Sequence, residues 1–170
     1  QEESVLKVVH GEQNTFISEL TLQNGYAHSI ISGSEFDHGG GISVLFGSFI
    51  NIQNCIIKNC VAAYGGGISV VDSSSRIRVN NTLIYNNESA SLGGGIAVLN
   101  GSDAEVINCN IYGNNSPEDV RIGGIAIGST GTTLDLKNSI IFNNYPNDIK
   151  SWNAYGCYES LSIAYSLTSE

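Results

Sequence analysis

The sequence predicts an all-β fold, a right-handed parallel β-helix of about five to six coils, on three observations. A glycine-rich phrase recurs as GGGISV at 39–44, GGGISV at 65–70, GGGIAV at 93–98 and a trimmed GGIAIG at 123–128. A second phrase follows each one: INIQNCIIKNC (50–60), IRVNNTLIYNN (77–87), AEVINCNIYGNN (104–115) and LDLKNSIIFNN (134–144), with ISELTLQNG (17–25) as an earlier partial copy. Both phrases share one register, because aligning on Asn54, Asn81, Asn108 and Asn138 gives steps of 27, 27 and 30 residues. A period of this length marks a stacked repeat.

Within each unit, apolar residues recur every second position and β-branched types dominate, which is the strand pattern. The density of Gly and Asn rules out helix. Each unit therefore carries about three short strands that turn corners. Stacking the units aligns inward columns: Ile50, Ile77, Ala104, Leu134; Ile52, Val79, Val106, Leu136; Cys55, Thr82, Cys109, Ser139; and Ile57, Ile84, Ile111, Ile141. Ile42, Ile68, Ile96 and Ile125 form another, beside Val44, Val70, Val98 and Ile127. No unit buries its own apolar face, but coils stacked about 4.8 Å apart bury a continuous interior.

The glycines are expected at a corner that needs positive φ and lets one coil's backbone lie against the next. Asn24, Asn59, Asn86 and Asn143, with Gly113 and then Asn114 in the remaining coil, fall at another corner. There Asn tolerates the left-handed region, and its amide can bond the amide one coil away. No Gly cluster precedes a Lys-Ser or Lys-Thr pair, so a phosphate loop is not indicated. SVLKVVH (4–10) and LSIAYSL (161–167) read as further strands at the two ends.

The GGGI and N-x-x-I-x-N-N phrases, with SIIFNNYPNDI and LSIAYSL, resemble the β-helix repeats of secreted and surface-anchored bacterial proteins. They are similar to the polymorphic outer-membrane protein repeats, whose signatures are GGA-I and F-x-x-N. Here Gly stands where Ala is usual, and F-N-N occurs once, at Phe142 to Asn144. The resemblance implies an extracellular or cell-surface setting and brings no catalytic motif with it.

Seven Lys and Arg against sixteen Asp and Glu give a net charge of -9 with no basic run, which argues against nucleic acid or an anionic membrane as partner. No apolar run approaches the roughly 18 residues of a membrane span, and QEESVLKVV lacks the features of a secretory signal. The whole of 1–170 reads as one β-helix domain, a segment of a longer solenoid.

The four cysteines invite a disulfide reading. Cys55 and Cys109 share a column but lie two coils apart, about 9.6 Å, beyond the roughly 7 Å limit for a bridge. Cys60 has Gly25 and Asn87 as column neighbours, and Cys157 has no evident mate, so buried free thiols are expected. His10, His28 and His38 share no column, so no zinc set is predicted.

Polysaccharide lyases and pectin hydrolases are often built on this fold, so a carbohydrate-active enzyme is the rival reading. Arg76 and Arg78 point outward, with Asp103 and Glu105 one coil on, predicting the cross-coil pairs Arg76–Asp103 and Arg78–Glu105. Asp135 continues the Glu105 column, which makes Asp103, Glu105 and Asp135 a weak candidate Ca²⁺ site; no other cofactor is indicated.

The outward column Gln23, Lys58, Tyr85, Tyr112, Phe142 puts three aromatics in a row. Such a row could meet glycan or a protein partner, or serve as an external ladder that stacks on itself. The longest loop, 26–38, carries Glu35, Asp37 and His38 and is the second candidate contact. Sequons fall at Asn80, Asn87, Asn100 and Asn114. The best functional reading is a non-catalytic surface or adhesion rod, with end-to-end self-association through open coil ends as a further alternative.

Overall fold

The computed structural model describes residues 3–27, 38–117, 122–152, 160–164 and 166–168. Three six-stranded sheets, all parallel, run its length. The first contains Leu6–Val8, Ile42–Val44, Ile68–Val71, Ile96–Leu99, Ile125–Gly128 and Ile149–Trp152. The second contains Thr15–Ser18, Phe49–Gln53, Arg76–Asn80, Asp103–Ile107, Thr133–Lys137 and Ser160–Ala164. The third contains Thr21–Gln23, Ile56–Lys58, Leu83–Tyr85, Asn110–Tyr112, Ile140–Phe142 and Leu167–Thr168. In every sheet neighbouring strands come from successive coils, so the chain is a parallel β-helix as the repeat predicts.

The predicted columns are the observed registers. Ile50 pairs with Ile77, Ile77 with Ala104 and Ala104 with Leu134 in the second sheet. Ile57, Ile84, Ile111 and Ile141 follow one another in the third, and Ile42, Ile68, Ile96 and Ile125 in the first. All twelve residues are buried in one continuous cluster. Each large aliphatic side chain so buried contributes about 1.5 to 3 kcal/mol relative to exposure.

A fourth, shorter sheet joins Tyr26–Ala27, Val61–Tyr64 and Glu88–Leu92, so the early coils have four strands and not three. Beyond it single bridges from Glu88 to Asn115 and from Asn115 to Tyr145 keep the rungs in step. Among the described residues no helix is long and apolar enough to cross a membrane.

The glycine phrase divides its labour. Gly65 has φ +64°, and a Cβ there would lie 2.1 Å from Ile68 O. At Gly66 a Cβ would lie 2.3 Å from Glu88 O, and at Gly67 2.6 Å from Gly95 O, on the adjacent coil. The first glycine thus makes the turn, and the next two admit the neighbouring backbone.

The asparagine prediction needs one correction. Asn24, Asn59, Asn86 and Asn143 do hold positive φ at the corner. The inward ladder, however, is the next column, Asn87, Asn114 and Asn144. Asn87 Nδ2 donates to Asn114 Oδ1 at 3.0 Å, and Asn114 Nδ2 donates to Asn144 Oδ1 at 2.8 Å. Because side chains alternate across a strand, a shift of one residue changes which amide faces in. Asp148 takes the next place in this ladder, its Oδ1 accepting from Asn144 N at 2.9 Å and Asn144 Nδ2 at 2.8 Å.

Two further ladders close the other corners. Cys55, Thr82, Cys109 and Ser139 are buried; Cys55 N donates to Thr82 Oγ1 at 3.3 Å and Cys109 N to Ser139 Oγ at 3.0 Å. Ser48, Ser75, Ser102 and Thr132 are likewise buried at the corner between the first and second sheets. There Gly47 N donates to Ser75 Oγ and Gly101 N to Thr132 Oγ1, both at 3.0 Å. Corner N–H groups that no strand ladder reaches are satisfied in this way.

Candidate functional site

The outward column of the third sheet is a stacked row. Lys58, Tyr85, Tyr112 and Phe142 are successive register partners. Tyr85 and Tyr112 have ring centroids 5.1 Å apart with planes 1° from parallel, and Tyr112 and Phe142 are 5.3 Å apart at 17°. Lys58 Nζ lies 5.9 Å from the Tyr85 centroid, capping the row with a cation. Tyr112 spends both faces on its neighbours, and Tyr85 lies between Tyr112 and Lys58, so these two rings offer their edges to the surface. Exposed asparagines frame the strip: Asn54, Asn81, Asn108 and Asn138 on one side, and Asn59, Asn86 and Asn143 on the other. Asn81 Nδ2 donates to Asn54 Oδ1 at 2.7 Å, which holds part of that frame in place.

On the second sheet the predicted ion pairs form. Arg76 Nη2 lies 3.0 Å from Asp103 Oδ2, and Arg78 Nε 2.5 Å from Glu105 Oε2. Lys137 adds a pair to Asp135 at 2.5 Å and stands 3.8 Å from Glu105 Oε1. The hydrogen bond from Lys137 to Asp135 raises the lysine pKa. Thr133 Oγ1 donates to Asp103 Oδ1. The Asp103, Glu105 and Asp135 carboxylates considered for Ca²⁺ are thus held by cations and a hydroxyl. Among the described residues, no set of three His, Cys, Asp or Glu side chains is placed to hold a metal. A shallow groove on this face is walled by Phe49, Arg76, Arg78, Asp103, Glu105 and Asp135.

Of the loop candidates, Glu35 and Asp37 lie outside the described residues. His38 bridges Tyr64 in parallel register and stacks on its ring, centroids 5.1 Å apart. Its Nδ1 lies 3.5 Å from Ser69 Oγ. His38 therefore packs over the outer face of the first sheet. Cys55, Cys60 and Cys109 are free, buried thiols, and Cys157 lies outside the described residues. Burial pushes the Cys60 thiol pKa up, and pushes that of Cys109 up to about 11. Neither has the electropositive, open setting of a reactive cysteine. Of the sequon asparagines, Asn87 and Asn114 belong to the buried ladder, whereas Asn100 is exposed at a turn.

Sequence reasoning missed three features. One is the Ser/Thr ladder, whose 27, 27 and 30 steps repeat the register already in hand. Another is a second apolar cluster outside the first sheet, containing Leu45, Val71, Leu92, Leu99 and Ile122. In the runs ISVL, ISVV and IAVL the outward places hold only a small Ser or Ala and then an apolar residue, never a charge, which suits a strand covered on both faces. The third is Asp148 as the terminal member of the Asn ladder, placed four residues beyond Asn144 and off the repeat.

Parallel coils closed by side-chain ladders define a β-helix repeat protein. Residues 8–160 match the model of a family described as a right-handed beta helix region, and the chain belongs to that family. No curated protein and no solved structure matches the chain.

Proposed function

We propose that this chain is a non-catalytic, extracellular or cell-surface β-helix that presents a rigid binding face to a glycan or protein surface. The observation that carries the reading is the stacked row Tyr85, Tyr112, Phe142, capped by Lys58. Ladders at the corners and stacking along the row hold these groups in one arrangement before any partner arrives, which lowers the ordering cost of binding. The extracellular setting rests on the resemblance of the GGGI and N-x-x-I-x-N-N phrases to repeats of secreted and surface-anchored proteins. A carbohydrate-active enzyme is less well supported, because the Glu105 and Asp103 carboxylates that would act are held by Arg78, Arg76 and Thr133.

Because the faces of Tyr85 and Tyr112 are already occupied, contact at these two residues is through ring edges and hydroxyls, together with the flanking amides. Tyr112→Phe removes the hydroxyl but keeps a ring in the row. Glycan-array and surface-protein binding, measured for the parent and for Tyr112→Phe and Tyr112→Ala, tests the reading. Binding lost in both variants, with melting unchanged in Tyr112→Phe, supports it. A silent array and no protein capture, together with turnover of a polyuronate, overturns it.

A second reading, end-to-end self-association, draws on Leu161 and Ile163. They continue the inward Leu134 and Leu136 columns yet are 43% and 48% exposed. Sedimentation velocity at rising concentration tests it, with Leu161→Glu abolishing any association.

A further inference from the structure

We propose that Tyr85 and Tyr112 form an oxidative cross-linking site, at which hydrogen peroxide and a haem peroxidase join the two rings as dityrosine and so bond one coil to the next. This is a covalent modification of the row, independent of what the row binds, and it goes beyond the function proposed above.

Parallel register sets like atoms of two neighbouring side chains one coil step apart, about 4.8 Å. Tyr85 and Tyr112 are register partners, and their ring centroids lie 5.1 Å apart with planes 1° from parallel. The ring carbons ortho to one hydroxyl therefore lie beside those of the other. Both residues are half-buried, so the rings are held by packing while their edges remain open to an oxidant. The groups at either end confine the reaction to this pair. Phe142 stacks on the far side of Tyr112 at 5.3 Å, and Lys58 Nζ lies 5.9 Å from the Tyr85 centroid. Neither side chain carries a phenol. Tyr64 has a different neighbour, the stacked ring of His38.

The chemistry balances with peroxide as the oxidant. Each phenol gives up one electron and its hydroxyl proton, leaving a phenoxyl radical whose spin is shared with the ortho ring carbons. An ortho carbon of Tyr85 then bonds to an ortho carbon of Tyr112. The hydrogen on each bonded carbon leaves as a proton while a proton returns to each oxygen, which restores both phenols. The protein has lost two hydrogen atoms, and one hydrogen peroxide has become two waters. Holding the partners side by side makes the coupling step intramolecular, which favours it over encounter between separate chains. The rings swing out of the stack to meet edge to edge, a motion of side chains that leaves the coil spacing intact. Because the new bond closes a loop from position 85 to 112, it restricts the unfolded chain and raises the melting temperature.

The test treats the whole chain with horseradish peroxidase and hydrogen peroxide, then digests it with a protease that cuts after Glu. Cleavage after Glu88 and Glu105 separates Tyr85 from Tyr112, so a linked peptide pair two hydrogens lighter than its parts identifies the bond by mass spectrometry. The expected result is a Tyr85–Tyr112 link in monomeric chain, with a yield that does not fall on dilution. Tyr85→Phe and Tyr112→Phe each keep a stacked ring and each lower the yield of linked peptide more than about tenfold, whereas Tyr145→Phe leaves it unchanged. Unfolding the chain in urea before oxidation abolishes the preference for this pair. The proposal is overturned if the folded chain gives no Tyr85–Tyr112 link, or if the link forms only between chains. It is also overturned if the unfolded chain links this pair as readily as the folded one. Cross-linking in a chain that binds no glycan or protein would sink the binding reading alone, and binding without cross-linking would sink this proposal alone.

Discussion

Asn114 donates its side-chain amide to Asn144 Oδ1 at 2.8 Å and to Ile84 O at 3.0 Å, while its own Oδ1 accepts from Asn87 N and Asn87 Nδ2, both at 3.0 Å. One side chain thus ties three coils together, and the groups it satisfies are buried. Asn114→Ala leaves the buried Asn87 N–H without its acceptor and removes one donor from Ile84 O, at a cost of about 1 to 3 kcal/mol. We expect urea unfolding to show a loss of about 1 to 3 kcal/mol with little change in slope. A loss below about 0.5 kcal/mol would mean that the ladder is not holding the coils.

Glycines in this chain should separate sharply on substitution. Gly66→Ala places a methyl 2.3 Å from Glu88 O and 2.6 Å from Gly94 O, both backbone atoms that cannot yield without parting the coils. Gly47 has φ +71°, but its nearest outside atom to an added Cβ is 3.9 Å away. Calorimetry should therefore find Gly47→Ala costing about 1 to 2 kcal/mol for backbone conformation alone, and Gly66→Ala more than about 4 kcal/mol or failing to fold. Equal costs at the two sites would contradict the close approach of the coils.

Cys109 links stability to alkaline pH. Its thiol pKa in the folded chain, about 11, stands above the ordinary value of 9.0 because burial penalises the thiolate. Between these values the unfolded chain has lost a proton that the folded chain keeps, so stability present below pH 9 falls as pH rises towards 11. The contribution at stake is on the order of 2 to 3 kcal/mol. Cys109→Ser, which keeps a small ladder side chain, should flatten the stability profile over that window. An unchanged profile would show that some other group sets it.

Tyr112 is sandwiched between two rings, so its contribution can be separated into stacking and hydroxyl. Tyr112→Ala should lower stability by about 1 to 3 kcal/mol through two lost ring contacts, and Tyr112→Phe by less than about 0.5 kcal/mol. Thermal melts of the two variants check this. A large effect of Tyr112→Phe would place the hydroxyl in a structural role and weaken the binding reading.

The Arg78–Glu105 pair is exposed on the arginine side and half-buried on the glutamate side. A double-mutant cycle should return about 0.2 to 1 kcal/mol, shrinking at high salt. A coupling that is insensitive to salt would indicate a pair more shielded than its exposure implies.

Much of this architecture was legible because a solenoid turns sequence distance into vertical position. Once Asn54, Asn81 and Asn108 set the step, Ile57 had to lie under Ile84, and Arg78 under Glu105. The aromatic row was legible for the same reason. Asp148 was not, because it reaches its ladder place by folding back four residues beyond Asn144, outside the repeat. The Ser48 to Thr132 ladder was hidden by residue type: a serine beside a turn looks like surface until the corner N–H it accepts is seen.

The sequence by itself determined the coil register, the inward columns and the sharing of columns by Tyr85, Tyr112 and Phe142, since the period and the alternation of strands leave no other stacking. Only the tertiary structure decided that Asn87 and not Asn86 faces inward. It also decided that the rings turn their faces to one another, that His38 packs on Tyr64, and that the carboxylates near Arg76 and Arg78 are already engaged. Periodicity specifies which residues are neighbours. Backbone dihedrals at the corners and side-chain rotamers specify which atoms meet, and chemistry depends on the atoms.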